Sequence, residues 1–324
     1  MGLGGPPARA LITGIGGQDG SYLAEQLVAE GVEVHALARL EDGPPAYCPD
    51  AVTVHIGDLT DIAGVRRLVM DLVPGEIYNL AALSSVAASW EQPDVSGEVN
   101  GSAAAALLES ALLAQEHHGT HVHVVQASSA EMFGNPSSSP QDETTPLAPV
   151  SPYGAAKAFA HLMVGVYRGR GLAASSLILY NHESPRRPTR FVTRKITAGV
   201  AAIAHGNADR LVLGNLEARR DWGWAPDYTD AMVRAARSTI PADYVIATGQ
   251  SHSVRDFVAS AFTRAGISDW EHLVQTDPAL VRPADAVDLR GDASKARRDL
   301  GWSATLGFDD VVAAMVDHDL AGLP

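Results

Sequence analysis

Residues 10–40 read ALITGIGGQDGSYLAEQLVAEGVEVHALARL, and this stretch decides the fold. Its pattern predicts a short apolar strand, a glycine-rich turn, an amphipathic helix and a second strand. Gly14, Gly17 and Gly20 recur at three-residue spacing between the first strand and the helix. Glycine tolerates a positive φ and lets a phosphate approach the backbone, while the helix N-terminus attracts an anion. The stretch therefore predicts half of a dinucleotide-binding βαβ unit; the alternative is a plain structural turn.

Composition and charge exclude several classes of function. The 324 residues carry a formal net charge of −14, which argues against nonspecific binding of nucleic acid because that needs lysines and arginines at the phosphates. Cys48 is the only cysteine, so an intrachain disulfide is impossible and we expect a cytoplasmic location. No stretch is long and apolar enough to span a membrane. Packed or solvated histidines, rather than a metal site, are expected at His117, His118, His121 and His123.

Two further strands are predicted to end beside the glycine-rich turn. In a doubly wound sheet, ligands collect beyond the carboxyl ends of the strands. Asp58 follows the third strand, where it could accept hydrogen bonds from an adenine amino group or simply cap the following helix. The fourth strand ends in small residues that would let a cofactor or substrate lie against the backbone. Both strand ends therefore belong to the predicted cleft.

The strongest chemical signal follows the fifth strand. Tyr153 and Lys157 are four residues apart and so share one face of a helix. A lysine close to a phenol favours the phenolate, so we expect Lys157 to lower the pKa of Tyr153 and make it a usable base near neutral pH. A YxxxK pair alone is usually structural. After the serine pair at Ser128 and Ser129, and after the glycine-rich turn, it predicts catalysis.

These motifs together resemble the extended short-chain dehydrogenase/reductase superfamily and, within it, are most similar to the GDP-mannose 4,6-dehydratases. The resemblance runs from about residue 10 to residue 302 through TGIGGQDGSYLAE, GDLTD, QASSAEMFG, SPYGAAK, NHESPRR, FVTRKIT, LGNLEARRDWGWAPDY and RPADAVDLRGDASKARRDLGW. It implies an α/β fold with a doubly wound parallel sheet (Rossmann) and a smaller α/β substrate lobe. Residues 1–180, with strands that return at about residues 240–250, would bind the dinucleotide. Residues 181–324 would mainly bind a nucleotide diphosphate sugar.

The resemblance also implies roles for individual residues. The catalytic residues would be Ser129, Glu131, Tyr153 and Lys157. An NAD or NADP cofactor would contact Gly14, Gly17, Gln18, Asp19, Gly20, Arg39, Asp58, Leu59, Leu80, Ala81, Tyr153, Lys157 and His182. The nucleotide sugar would contact Ser84, Ser85, Ser129, Asn181, Arg186, Arg190, Lys195, Arg220 and Arg282. Alternatively, one or two of these arginines form only surface ion pairs.

The reaction implied by the resemblance passes through a 4-keto sugar. Tyr153 would take the proton from the sugar O4 while Ser129 hydrogen-bonds to the same oxygen, and hydride would pass from C4 to the nicotinamide. Glu131 would then remove the C5 proton and protonate the departing C6 hydroxyl, after which hydride returns to C6. Alternatively, Glu131 is a carboxylate at the start of a helix and has no chemical role.

Several positions on the sugar side depart from the pattern of this family. Ser129 replaces the usual threonine and keeps the hydroxyl. Leu83 and Ser85 replace the usual glutamine and histidine, which leaves the substrate's identity open. Arg190 stands where the family has small or acidic residues, so it is either surface charge or a contact for an extra anionic group.

A second departure follows the second strand. After Arg39, the family usually continues with another arginine and serines that bind the 2′-phosphate of NADP and touch a neighbouring subunit. Leu40, Glu41 and Asp42 stand there instead, in a shorter loop. Carboxylates repel a phosphate, so NAD is at least as plausible as NADP. We expect a homo-oligomer, either a dimer or a tetramer.

Two other functions remain open. A nucleotide-sugar 4-epimerase, for example one that acts on UDP-glucuronate, would use Tyr153 and Ser129 to form the same 4-keto intermediate. A uronate has no C6 hydroxyl to lose, so Glu131 favours dehydration. A noncatalytic nucleotide-binding regulator is the third interpretation, and the intact set of Ser129, Tyr153 and Lys157 argues against it.

Overall fold

A seven-stranded parallel sheet forms the centre of the molecule. The computed structural model describes residues 9–280 and 288–322. The strand order is β11-β6-β5-β4-β1-β2-β3, and every neighbouring pair is parallel. The strands are β1 (Arg9–Thr13), β2 (Glu33–Ala38), β3 (Thr53–Ile56), β4 (Glu76–Asn79), β5 (His123–Ser129), β6 (Ala173–Leu179) and β11 (Asp243–Ile246). The order reverses between β1 and β4, which confirms the doubly wound sheet and creates a crevice at that switch point.

Helices bury both faces of this sheet. Ala10 and Ile12 of β1 pack with α1 and α8 on one face, whereas Leu11 packs with α2 and α5 on the other. Because neighbouring residues of a strand point to opposite faces, burial on both sides explains why β1 is continuously apolar. The helices of this part are α1 (Gln18–Ala29), α2 (Ile62–Leu72), α3 (Val86–Glu91), α4 (Pro93–Gly97), α5 (Ala103–His118), α6 (Pro152–Gly169) and α8 (Ala225–Ala236).

The remaining elements surround a separate apolar cluster. Trp222, Phe257 and Met315 are buried at its centre. Its helices are α7 (Val192–Ala204), α9 (Val254–Arg264) and α11 (Phe308–Gly322), while α10 (Ser294–Leu300) packs against the large sheet. Short strands complete it: β7 (Asn181–Glu183), β8 (Leu211–Leu213), β9 (Arg219–Arg220), β10 (Trp222–Trp224), β12 (His252–Ser253), β13 (Val274–Thr276) and β14 (Asp288–Leu289). They pair as β10-β7, β12-β9-β14 and β13-β8. Among the described residues, no helix is long and apolar enough to cross a bilayer.

Candidate active site

The glycine-rich turn packs so closely that side chains cannot enter it. Gly14 has a φ of +79°, and a Cβ there would lie 2.7 Å from the backbone nitrogen of Ala81. A Cβ on Gly20 would lie 2.3 Å from the carbonyl oxygen of Gly14. Glycine is therefore required at both positions, by the left-handed backbone at Gly14 and by close approach at Gly20. The turn brings the start of α1 directly against the end of β4.

The first turn of α1 leaves its backbone donors open. Gly17 is the N-cap residue and offers no side chain to cap the first turn. Gly16 and Gly17 are exposed at this end of the helix, and the Gly17 N–H donates to the Gly14 carbonyl oxygen at 3.1 Å. Uncapped donors and the helix dipole attract an anion. The cradle therefore fits the pyrophosphate of a dinucleotide.

A buried chain of hydrogen bonds connects this turn to Lys157. Thr13 Oγ1 donates to Asn79 Oδ1 at 2.7 Å, and Asn79 Nδ2 donates to Gln126 Oε1 at 2.7 Å. Gln126 Nε2 and Lys157 Nζ then donate to the same carbonyl oxygen of Ala127, at 2.9 and 2.8 Å. The chain crosses the carboxyl ends of β1, β4 and β5 and holds the lysine there. Such networks, when every member is satisfied, make a site rigid.

The structure brings the other three predicted catalytic residues to the end of β5. Ser129 Oγ accepts a hydrogen bond from the Glu131 backbone N–H at 3.2 Å, at the start of a one-turn 3-10 helix. Tyr153 lies in the first turn of α6, which Ser151 caps by accepting from the Gly154 N–H at 3.1 Å. A Cβ on Gly154 would stand 2.5 Å from the carbonyl oxygen of Glu131. This close approach places the tyrosine beside the serine and the glutamate.

Burial, not the lysine, dominates the acid–base properties of the pair. Burial raises the pKa of Tyr153 to about 12, and the charge of Glu131 adds to this rise. A hydrogen bond with Ser129 and the charge of Arg187 act in the opposite direction. Burial also lowers the pKa of Lys157 to about 8. The predicted lowering of the Tyr153 pKa is therefore wrong for this arrangement, because desolvation outweighs the lysine, whose ammonium lies 5.9 Å from the phenol ring centroid.

An ion pair between Asp19 and His182 joins the first turn of α1 to β7. Nε2 of His182 lies 2.9 Å from Asp19 Oδ2, and Nδ1 lies 2.7 Å from the carbonyl oxygen of Tyr180. A carbonyl oxygen only accepts hydrogen bonds, so Nδ1 of His182 carries a proton. A second proton is shared between Nε2 and the carboxylate of Asp19. Burial opposes both charges, yet their attraction lowers the pKa of Asp19 and raises the pKa of His182. The imidazole also stacks on Tyr228, with 4.3 Å between ring centroids.

The Asp19–His182 pair should make stability depend on pH. The pKa of Asp19 is depressed from 3.8, so its contribution is present above pH 3.8 and is lost as the pH falls through the folded-state pKa. The pKa of His182 is raised from 6.5, so its contribution is present below pH 6.5 and is lost as the pH rises through the folded-state pKa. We therefore expect Asp19→Asn to lower Tm by about 2–5 °C. Most of this loss should occur between the folded-state pKa of Asp19 and the folded-state pKa of His182.

Thermal unfolding across this pH range tests the pair. The control is Asp50→Asn, at an exposed position with no hydrogen bond to its side chain within residues 9–280 and 288–322. It removes the same charge without touching His182. A Tm difference for Asp19→Asn that stays constant from acidic to alkaline pH would contradict the ion pair.

Comparison with known proteins identifies the family. The sequence matches the family described as GDP-mannose 4,6 dehydratase over residues 11–315. GDP-mannose 4,6 dehydratase 1 of Arabidopsis thaliana is 43% identical over 97% of this chain and 90% of its own length. The chain belongs to the GDP-mannose 4,6-dehydratase family. The human GDP-mannose 4,6 dehydratase is 40% identical over 98% of this chain and 93% of its own length. The predicted resemblance is thus confirmed.

A solved structure confirms the superfamily. The UDP-glucose 4-epimerase of Thermus thermophilus, in complex with NAD, superimposes with a TM-score of 0.85. It is 29% identical and covers 97% of this chain and all of its own. The chain therefore shares the fold described above with this epimerase.

The sugar-side loop of this family member is held through its backbone. The side chain of Asn100 accepts from the Leu83 N–H at 2.8 Å and donates to the Leu83 carbonyl at 3.2 Å. Ser85 Oγ accepts from the Ala88 N–H at 3.2 Å and so caps α3, while Ser84 is exposed. The shape of the loop therefore does not depend on the glutamine and histidine that are usual in this family.

Asp58 and Leu59 lie beyond the carboxyl end of β3, as the sequence predicts. Asp58 Oδ1 accepts from both the N–H and the hydroxyl of Thr60 at 2.7 Å, whereas Asp61 caps α2 by accepting from the Gly64 N–H at 3.0 Å. The helix-cap alternative for Asp58 is therefore wrong. Its second carboxylate oxygen accepts no hydrogen bond from the part of the chain that the structure describes. Leu59 is buried.

Arg186, one of the predicted contacts of the nucleotide sugar, is held by side chains of α1. Arg186 binds Glu25 at 2.7 Å and Ser21 at 3.1 Å, with its guanidinium between the rings of Tyr22 and Tyr47. This ion pair fits the ion-pair alternative for Arg186, and it fastens the segment after β7 to α1. Gln18 makes a similar connection, since it donates to the His182 carbonyl and accepts from Ser184.

The other sugar-side candidates come from different segments of the chain. Asn181 lies in β7, in register with Trp222 of β10. Arg220 is buried and donates to the Arg219 carbonyl at 2.7 Å. Arg190 is exposed, 5.1 Å from the ring of Phe191, which fits the surface-charge alternative. Half-buried Lys195 makes no side-chain hydrogen bond to any residue that the structure describes, and Arg282 lies outside the described residues.

Arg187 is a site residue that the sequence reasoning missed. Its guanidinium lies 3.3 Å from the buried carboxylate of Glu183 and 3.8 Å from the ring centroid of Phe191. Its charge lowers the pKa of both Tyr153 and Asp19. The available signal was the four-residue spacing from Glu183, which indicates a local ion pair. Sequence alone does not show which of two adjacent arginines faces the site.

Proposed function

We propose that this chain converts GDP-mannose into a GDP-4-keto-6-deoxy sugar. The observation that carries the proposal is the placement of Ser129, Glu131 and Tyr153 at one strand end, beside a cradle that fits a dinucleotide. The family's identity supports GDP-mannose as the substrate. We further propose that residues 1–180 with 240–250 hold the cofactor and that residues 181–324 mainly hold the nucleotide sugar.

The side chains divide the proton transfers between them. Tyr153 takes the proton from the sugar O4, and Ser129 hydrogen-bonds to the same oxygen. A bound nicotinamide would supply the hydride acceptor and donor for this chemistry and, while oxidised, a positive charge. Lys157, held by the Ala127 carbonyl oxygen, would help to orient that cofactor. A phenol whose pKa is about 12 must be made more acidic as the complex forms, and cations beside it act in that direction.

Glu131 performs the step that separates dehydration from epimerisation. It removes the C5 proton, which the C4 ketone has made acidic, and gives a proton to the C6 hydroxyl as water departs. When hydride is added at C6, C5 takes up one proton and the C4 ketone is restored, which balances the proton that Tyr153 took from O4. One carboxylate can serve both transfers because C5 and C6 are adjacent. A 4-epimerase needs no acid or base at this position, so the presence of Glu131 beside Tyr153 favours dehydration over the epimerase alternative.

Separate incubations with GDP-mannose, UDP-glucuronate and UDP-glucose test the proposal. Product analysis should show a 4-keto-6-deoxy sugar from GDP-mannose alone. A C4-inverted uronate as the main product would overturn dehydration in favour of epimerisation. Binding without turnover of any of the three would instead support the regulator.

We also propose that the protein works as a homo-oligomer in the cytoplasm. Phe159, Leu162 and Val166 are spaced along one side of α6 and are each between 46% and 59% exposed. An apolar stripe of this kind is unusual on a monomer and is suited to contact with a second copy. Light scattering should give a mass of two or four chains, and the mass of one chain would contradict the proposal.

A further inference from the structure

Three charged side chains after β2 bind one another at the edge of the cofactor crevice. Arg39 donates from Nε and Nη2 to the two carboxylate oxygens of Asp42, at 3.0 and 2.8 Å. Its Nη1 lies 2.7 Å from Glu41 Oε1. A short 3-10 helix, Leu40–Asp42, turns both carboxylates back towards the guanidinium. The fork of Arg39 is therefore already occupied by carboxylates in the geometry that a phosphate would need.

The charge at this edge is negative overall. Hydrogen bonding to Asp42 raises the pKa of Arg39, and the charges of Glu41 and Asp58 act in the same direction. One guanidinium thus faces three carboxylates. The side chain that follows Arg39 is Leu40, which is 79% exposed, and residues 40–50 contain no lysine or arginine. Arg186 approaches this loop through Tyr47 but is paired with Glu25.

In a doubly wound fold, side chains at the end of the second strand face the ribose of the adenosine. Carboxylates there can accept hydrogen bonds from the ribose 2′-hydroxyl of NAD. A 2′-phosphate would meet two carboxylates and would have to displace Asp42 from Arg39. We propose that Glu41 and Asp42 make this protein select NAD over NADP, by occupying Arg39 and by repelling the 2′-phosphate. The inference rests on the proposed function only in assuming a nicotinamide cofactor.

Titration calorimetry of the nucleotide-free protein with NAD+ and NADP+ tests the inference without any sugar. The parent protein should bind NAD+ at least about tenfold more tightly than NADP+. Glu41→Ser combined with Asp42→Ser should tighten NADP+ binding by about tenfold or more and should weaken NAD+ binding, because it removes acceptors for the ribose 2′-hydroxyl. Because these side chains are half-exposed, raising the salt concentration should reduce the gain.

Two controls separate the local effect from net charge. Asp50→Ser with Glu116→Ser removes the same two charges at exposed positions away from Arg39 and should leave the ratio of the two affinities unchanged. Arg39→Ala in the parent should weaken NADP+ binding further, because it removes the cation that partly neutralises Glu41 and Asp42. In the Glu41→Ser/Asp42→Ser background it should abolish the gain, because the freed guanidinium would then be the phosphate ligand.

The inference would be overturned if the parent protein bound NAD+ and NADP+ equally well, or if it bound neither. It would also be overturned if Glu41→Ser/Asp42→Ser left the NADP+ affinity unchanged. Its failure is distinct from failure of the proposed function. A protein that prefers NAD+ but does not turn over GDP-mannose would contradict only the function. A dehydratase that binds NADP+ as tightly as NAD+ would contradict only the selection.

Discussion

Tyr153→Phe should lower the turnover of GDP-mannose by about 10²–10⁴-fold while leaving the fold and substrate binding intact. The ring is buried, so phenylalanine keeps the packing of the first turn of α6 and removes only the hydroxyl. Without it, no group accepts the O4 proton as C4 is oxidised, because Ser129 can offer a hydrogen bond but is a poor base. Oxidation, elimination and reduction should therefore all stop together.

Steady-state kinetics and calorimetry with the same variant separate a chemical role from a binding role. The kcat should fall while the Kd for GDP-mannose changes little. Tyr167→Phe is the matched control, since Tyr167 is a buried tyrosine on the same helix and near its other end. It should retain activity. Unchanged turnover by Tyr153→Phe would refute the mechanism for both the dehydratase and the epimerase.

Glu131→Gln should block dehydration after the first oxidation. The amide cannot remove the C5 proton, so we expect product formation to fall by about 10²–10⁴-fold. Tyr153 and Ser129 are unchanged, so C4 can still be oxidised. Addition of GDP-mannose should then leave the bound cofactor reduced, which its absorbance reports, whereas Tyr153→Phe should show no such reduction.

Hydrogen exchange at C5 gives an independent measurement. In heavy water the parent protein should place deuterium at C5, and Glu131→Gln should lose this exchange along with product formation. Glu131→Asp keeps a carboxylate on a shorter side chain and should recover part of both. Normal exchange or normal dehydration by the glutamine variant would remove Glu131 from the mechanism, and C4 inversion by that variant would support the epimerase.

The catalytic set was predictable because its members are positioned by local rules. Tyr153 and Lys157 share a helix face because they are four residues apart. Ser129 ends a strand that its apolar residues make easy to predict. Their pKa values were not predictable. The net shift depends on distance and dielectric, and burial raises the Tyr153 pKa although a lysine lies on the same helix face.

Contacts between side chains far apart in the sequence could not be predicted either. Asp19 and His182 are 163 positions apart, and only the packing of α1 against β7 brings them to 2.9 Å. The same packing commits Arg186 to Glu25 and leaves its neighbour Arg187 to act on Tyr153. Charge and residue type alone suggest the same role for both arginines, because they do not show which way each side chain points.

Residues 10–40 by themselves determined that a dinucleotide site exists. Its glycines are dictated locally, by a positive φ at Gly14 and a backbone approach at Gly20 that no side chain allows. The same stretch ends in Arg39 and Leu40, and the residues that follow, Glu41 and Asp42, could be interpreted only as charges near a phosphate. Tertiary structure decided that they close on Arg39, because a short helical turn sets the direction of their side chains. Backbone conformations that require glycine can be predicted from the sequence, whereas the pairing of long side chains depends on the surrounding fold.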